Sequence, residues 1–280
     1  MTRLLRFAVV VVLLAGCKPK PNGPPPSPTA MPAPRPLERL APETWGDAGA
    51  DDREALFEVK PFTPHGKAFP AGAVKLELLG DAVAQRTDAG RRVTTLDAES
   101  ASKVVAGLDH RPVLLVPEEG TYLAQVTPLL AALDDVKAEV WLQHPDAPLA
   151  FKLTLQDEPA YQAWLDEPGP GRVRVIQRAD GYELTTGLGK LLGLDPNGPT
   201  VPVRGGRPDL ATLQKGLDRV KARFKEAQEV YFVPSYGTEL SALARTVSTN
   251  WLSDDQVIFS ESRWVYPRPR LELEHRDAGR

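Results

Sequence analysis

Apolar positions along this chain fall into two periods. Runs with no interruption stand at Val113-Leu114-Leu115-Val116 and Val230-Tyr231-Phe232-Val233, as in strands covered on both faces. Val74-Lys75-Leu76-Glu77-Leu78 alternates and Val173-Arg174-Val175-Ile176 is similarly apolar, so both read as strands, as do Val140-Trp141-Leu142 and Val257-Ile258-Phe259. Helical spacing takes over elsewhere. After Asp97 the apolar face is Ala101, Val104, Val105 and Leu108; after Asp209 it is Leu210, Leu213, Leu217, Val220 and Phe224. Leu123, Val126, Leu130 and Leu133 share a third face, on which Pro128 predicts a kink or break. Leu240, Leu243, Ala244, Val247 and Trp251 share a fourth. A short helix around Tyr161, Trp164 and Leu165 is closed by Pro168-Gly169-Pro170-Gly171.

The order of these elements repeats. Val113 to Leu123 aligns with Val230 to Leu240 at an offset of 117, with the shared core V-x-x-V-P-x-x-G-T-x-L. The match runs on without a gap to Val140–Leu142 against Val257–Phe259. In each copy a proline ends the strand because it cannot donate a ladder hydrogen bond. Glycine permits the turn, and Thr121 or Thr238 is placed to cap the next helix. Upstream, each first strand is followed by a turn-rich stretch and then a helix. The fold class is α+β: two repeated β-α-β-type modules at 56–150 and 171–268, joined by a small helical insert at 151–170. A charged tail, 269–280, follows Val265-Tyr266-Pro267-Arg268-Pro269.

The N-terminus carries a different signal. Arg3 and Arg6 precede a short apolar run, Phe7 to Leu14, which Leu14-Ala15-Gly16-Cys17 closes with two small residues. The run is shorter than the roughly 18 residues a spanning helix needs. The tetrapeptide resembles the lipobox of bacterial lipoproteins. That resemblance implies cleavage after residue 16, a diacylglycerol thioether on Cys17 and acylation of the new terminus; the alternatives are an ordinary signal peptide with a coincidental cysteine and an uncleaved anchor. Two or three acyl chains, at roughly 0.8 kcal/mol per buried methylene, hold a protein to a membrane where one does not. Residues 17–55 contain the lipidated Cys and a Pro-rich linker (Pro24, Pro25, Pro26, Pro28, Pro32, Pro34, Pro36), read as a disordered tether. At about 3.1 Å per residue it reaches on the order of 75 Å when extended.

Composition narrows the chemistry. Cys17 is the only cysteine, so the remainder has no thiol for a disulfide or a Cys-based metal site. A net charge of −3 argues against a nucleic-acid partner. His65, His110, His144 and His275 have no metal-ligand spacing, and there is no G-x-S-x-G elbow. Gly187-Leu188-Gly189-Lys190 lacks the full phosphate-loop pattern and reads as a turn. Glu118-Glu119 and Asp157-Glu158 read as solvated acids, and the basic stripe Lys215, Arg219, Lys221, Arg223 and Lys225 as a solvated helix face. Trp141, Trp251 and Trp264 read as packing residues. No catalytic set, metal or cofactor is expected.

The second module's order is a strand ending near Asp180-Gly181, helix, strand ending Val-Pro, helix, strand. It resembles the periplasmic domain of the ExbD/TolR biopolymer-transport family; Arg172 to Tyr266 carries the likeness, with the first module a fainter copy. The resemblance implies a domain that dimerises in the periplasm and contacts partner proteins or the cell wall. The family's membrane helix carries a proton-conducting aspartate, whereas the hydrophobic segment here is short, holds no acid and is expected to be removed at Cys17. Where the family has an acid after the middle strand this chain has Glu118 and Glu119 but then Ser235 and Tyr236. The motor role is therefore not carried over.

The expectation is a non-catalytic, lipid-anchored envelope protein facing the periplasm, accessory to a biopolymer-transport system. It would bind an envelope protein or peptidoglycan, with homo-oligomers allowed. Lys18 in place of aspartate after the cysteine favours the outer over the inner membrane. The alternatives are an enzyme acting on an envelope polymer and a self-associating spacer. The candidate binding residues are Glu118, Glu119, Thr121, Ser235, Tyr236 and Thr238, in turns where helix N-termini favour an anionic ligand. The opposing reading is that these turns only reverse the chain and cap helices.

Overall fold

The computed structural model describes residues 61–268 apart from 168, 194, 205 and 206. Cys17, Lys18, the Pro-rich linker and the charged tail lie outside the described residues.

The first half contains β1 (Val74–Leu79), β2 (Ala82–Thr87), β3 (Gly90–Thr95), α1 (Ala98–Ala106), β4 (Val113–Pro117), α2 (Leu123–Asp135) and β5 (Val140–Gln143). Next come β6 (Ala150–Asp157) and α3 (Glu158–Asp166). The second half contains β7 (Val173–Arg178), β8 (Gly181–Thr186), β9 (Gly189–Lys190), β10 (Val201–Arg204) and β11 (Arg207–Pro208). It ends with α4 (Leu210–Arg223), β12 (Glu229–Val233), α5 (Leu240–Ser248) and β13 (Glu261–Tyr266).

The strands form one mixed sheet in the order β11-β10-β8-β7-β12-β13-β6-β5-β4-β1-β2-β3, with β9 also paired to β8. Outward from the centre, β5-β4-β1-β2 on one side answers β13-β12-β7-β8 on the other. Within each half the three inner strands are parallel, joined through α1 and α2 or through α4 and α5, and the hairpin partner is antiparallel. β6 stitches the halves together: Ala150–Leu153 pair antiparallel with β5, and Thr154–Asp157 pair parallel with β13.

Strand alternation divides the apolar residues between two faces. Val230 and Phe232 of β12 join the main core with buried residues of α1, α2, α4 and α5. Tyr231 and Val233 point the other way, where Tyr161, Trp164 and Leu165 of α3 cover them. Trp164 stacks on Tyr231 at 3.8 Å between ring centroids, and burial pushes the Tyr231 hydroxyl up to about 12.

Four expectations change. The turn-rich stretches are hairpins: Gly80-Asp81 joins β1 to β2 and Ala179-Asp180 joins β7 to β8. The 151–170 insert is not simply helical, because β6 fills its first part and only α3 is helix. Pro128 leaves α2 unbroken; it lies near the middle of the helix, flanked by buried Val126, Thr127, Leu129 and Leu130. Packing along both sides outweighs one missing backbone bond. The ungapped match also fails beyond the last helix. Val113 pairs with Val140, but Val230 pairs with Ser262, so the offset grows from 117 to 122 (Val140 to Ser262) and Val257–Phe259 lie in a loop.

Candidate functional site

The two matching turns meet each other. Leu123 N–H donates to Thr238 O and Leu240 N–H donates to Thr121 O, both at 2.9 Å. Each residue of the first bond is 117 from its counterpart in the second, the reciprocity a two-fold relation produces. Tyr122 and Glu239 form an antiparallel bridge between these bonds, and Ala124 N–H reaches Tyr236 O at 3.2 Å. Gly120, at φ +75°, donates its N–H to Glu239 Oε1 at 2.9 Å.

This pairing uses helix N-terminal donors on which the anion-binding expectation relied. The N–H groups of Leu123, Ala124 and Leu240 at the helix N-termini are spent on carbonyls of the opposite turn. The threonines are not caps either. Thr121 is fully buried; its hydroxyl donates to Leu78 O and accepts from Gly80 N–H, tying the turn to the end of β1. Thr238 is buried and its hydroxyl meets Ser235 Oγ at 3.1 Å. Tyr122 and Glu239 take the N-cap positions, and Gln125 Oε1 accepts from the Tyr122 N–H.

The structure thus brings all six candidate residues to one junction, in two roles. Thr121 and Thr238 hold it together, while Glu118, Glu119, Ser235 and Tyr236 are exposed. Sequence reasoning missed three members. Tyr122 is 44% exposed beside Tyr236 at 57%, Glu239 closes the turn, and Glu158 Oε2 accepts from the Tyr236 hydroxyl at 3.1 Å. The aligned repeat contained Tyr122 opposite Glu239, but only spatial pairing shows that they adjoin. Arg245 marks one flank. Hydrogen bonds and charge from Asp146 hold its guanidinium above its ordinary range, with Glu239 and Glu119 adding to the field. The junction therefore offers two phenol rings among carboxylates, suited to packing against a partner and accepting its hydrogen bonds.

The remaining candidates disperse. Gly187-Leu188 is the two-residue turn between β8 and β9. Trp264 and Trp251 are buried, whereas Trp141 is half-buried. Arg219, Arg223 and Lys225 are exposed, and Lys221 instead donates to Lys225 O and Ala227 O beyond the end of α4. Among the described residues no group of three or more His, Cys, Asp or Glu side chains could hold a metal ion, and no helix is long and apolar enough to cross a membrane. No family model matches this sequence, and comparison with curated proteins finds no significant match.

Proposed function

We propose that the chain is a lipid-anchored envelope protein. It is cleaved and acylated at Cys17, and its folded part is a duplicated ExbD/TolR-like unit that binds a protein partner in the periplasm through the turn junction. The anchor reading rests on Leu14-Ala15-Gly16-Cys17 and the outer-membrane reading on Lys18. The duplication is supported by the reciprocal bonds at a constant offset and by the matching strand orders. The observation that carries the binding role is the exposure of Tyr122 and Tyr236 beside Glu118, Glu119 and Glu158. Monomeric surfaces seldom leave neighbouring aromatics open without a use. Carboxylates around the rings select a basic segment. The short apolar segment before Cys17, which holds no acid, supplies a lipid anchor, and such a protein serves a transport system as an accessory.

Labelled palmitate should enter the wild type and not Cys17→Ala, with the wild type in the outer-membrane fraction. A photo-crosslinker at position 236 should capture one partner in cells, and Glu119→Lys should abolish that capture. Absence of label from the wild type sinks the anchor. Capture unaffected by the charge reversal sinks the binding surface.

A further inference from the structure

The two halves differ most where the second connects its last helix to its last strand. The first half crosses from α2 to β5 through residues 136–139, whereas the second uses 249–260. The extra residues form a built loop. Asn250, fully buried, accepts from Phe259 N–H at 2.9 Å and donates to Phe259 O at 2.8 Å and Ser262 Oγ at 3.0 Å. Trp251 bridges Val257, and Gln214 on α4 donates to Trp251 O at 2.6 Å. Trp251, Ile258 and Phe259 of the loop add to the main core, while Asp255, Val257 and Ser260 stay on the surface, and loops on a rigid scaffold are where binding residues concentrate.

This loop walls a cleft of about 630 Å³ against β5 and β6, in the size range of small-ligand sites. Trp141 supplies a half-exposed indole, its N–H held by Glu139 Oε1 at 2.9 Å. Trp251 and Phe259 lie buried beneath the cleft as part of the main core, and Val257 stays 37% exposed at the rim. Thr154, exposed on β6, lines the same space, as does Ser260, whose hydroxyl donates to Gln228 O. The charges balance: Lys67 and Lys152 stand against Asp255 and Glu261, with Lys152 paired to Glu139 and Glu261 to Arg263.

We propose that this cleft is a glycan-binding site for an uncharged sugar chain. A sugar ring has an apolar C–H face that packs on an indole and a rim of hydroxyls or amides that need both donors and acceptors. The lining offers that combination with no net charge to select an ion. An extended peptide fits less well, because strand addition needs a free edge. The cleft side of β6 is already taken, at Ala150 by Lys67 and from Thr154 onward by β13. Only Phe151–Leu153 remain between those pairings.

The site is separate from the turn junction and does not depend on the anchor. The full chain in mild detergent would be titrated with the tetramer of N-acetylglucosamine, with cellotetraose, and with a neutral Ala/Ser octapeptide, following tryptophan emission and heat. Saturable binding of either sugar is expected, weakened about tenfold or more in Trp141→Ala. Thr154→Arg, an exposed change that fills the cleft, should have the same effect with an unchanged melting temperature, and Tyr236→Ala should leave sugar binding intact. No saturation with either sugar, tighter binding of the octapeptide, or Thr154→Arg within twofold of wild type overturns the assignment. Each result is independent of whether Cys17 is acylated.

Discussion

At His144, burial and hydrogen bonding both favour the neutral ring. The side chain is 3% exposed, packs edge-on to Phe151, and its Nδ1 accepts from Asp146 N–H at 3.1 Å, which places the proton on Nε2. Desolvation lowers its pKa from the ordinary 6.5; Asp146 opposes the shift and Arg245 adds to it. A histidine depressed in the folded state contributes stability that is present above the unfolded value and lost as pH falls through the folded one. Urea midpoints should therefore drop between about pH 7 and about pH 5, and His144→Asn, which keeps an acceptor, should flatten that slope. An unchanged slope in the variant would show that other groups set the acid limit. Thr121 and Thr238 teach the converse lesson about single residues. Both were legible as special positions, since they recur at a fixed offset before a helix. Their partners were not, because the Leu78 carbonyl lies 43 residues away and only tertiary pairing selects it over the local cap.

Among the elements, the main strands and helices were legible because burial imposes its period on the sequence. The hairpin strands were less so. β3 is polar and exposed along most of its length, so it carries little hydrophobic pattern, and pairing with β2 creates it. β6 did announce itself: in Ala150-Phe151-Lys152-Leu153-Thr154-Leu155-Gln156 every second residue from Phe151 is buried. Its neighbours in sequence, α3 and a Pro-Gly turn, masked that alternation. Gly181 shows how tightly the second hairpin is specified. It sits at φ +151° where β8 begins, and an added Cβ would lie 2.2 Å from Val201 O on β10. Gly181→Ala should cost about 2 kcal/mol or more, with exchange protection lost first along β8 and β10. Wild-type protection there would mean that the β8–β10 contact is not tight.

At the scale of the whole molecule, the matching stretches 117 residues apart were legible from sequence, but the way they combine was not. Two α+β units could sit as beads on a chain; here β6 joins their sheets, and the main apolar core runs through both. That continuity makes a prediction about cooperativity. Phe151 lies on β6, fully buried, 6.0 Å from the ring of His144 in the first half and 6.3 Å from Trp251 in the second. Phe151→Ala leaves a cavity with walls from both units and should cost about 3–5 kcal/mol. If the halves fold as one body, the loss appears equally in both. Tryptophan emission and far-ultraviolet dichroism should trace one coincident unfolding transition, shifted to lower urea, and exchange protection should fall together in β4 and β12. Independent units would give a second result: protection retained in one of those strands while the other opens, or two separated transitions. The coincident outcome would also explain the long loop at 249–260. A half that relies on its sister for closure can carry an insertion at one connection, because the sheet on either side of β6 is already held in register.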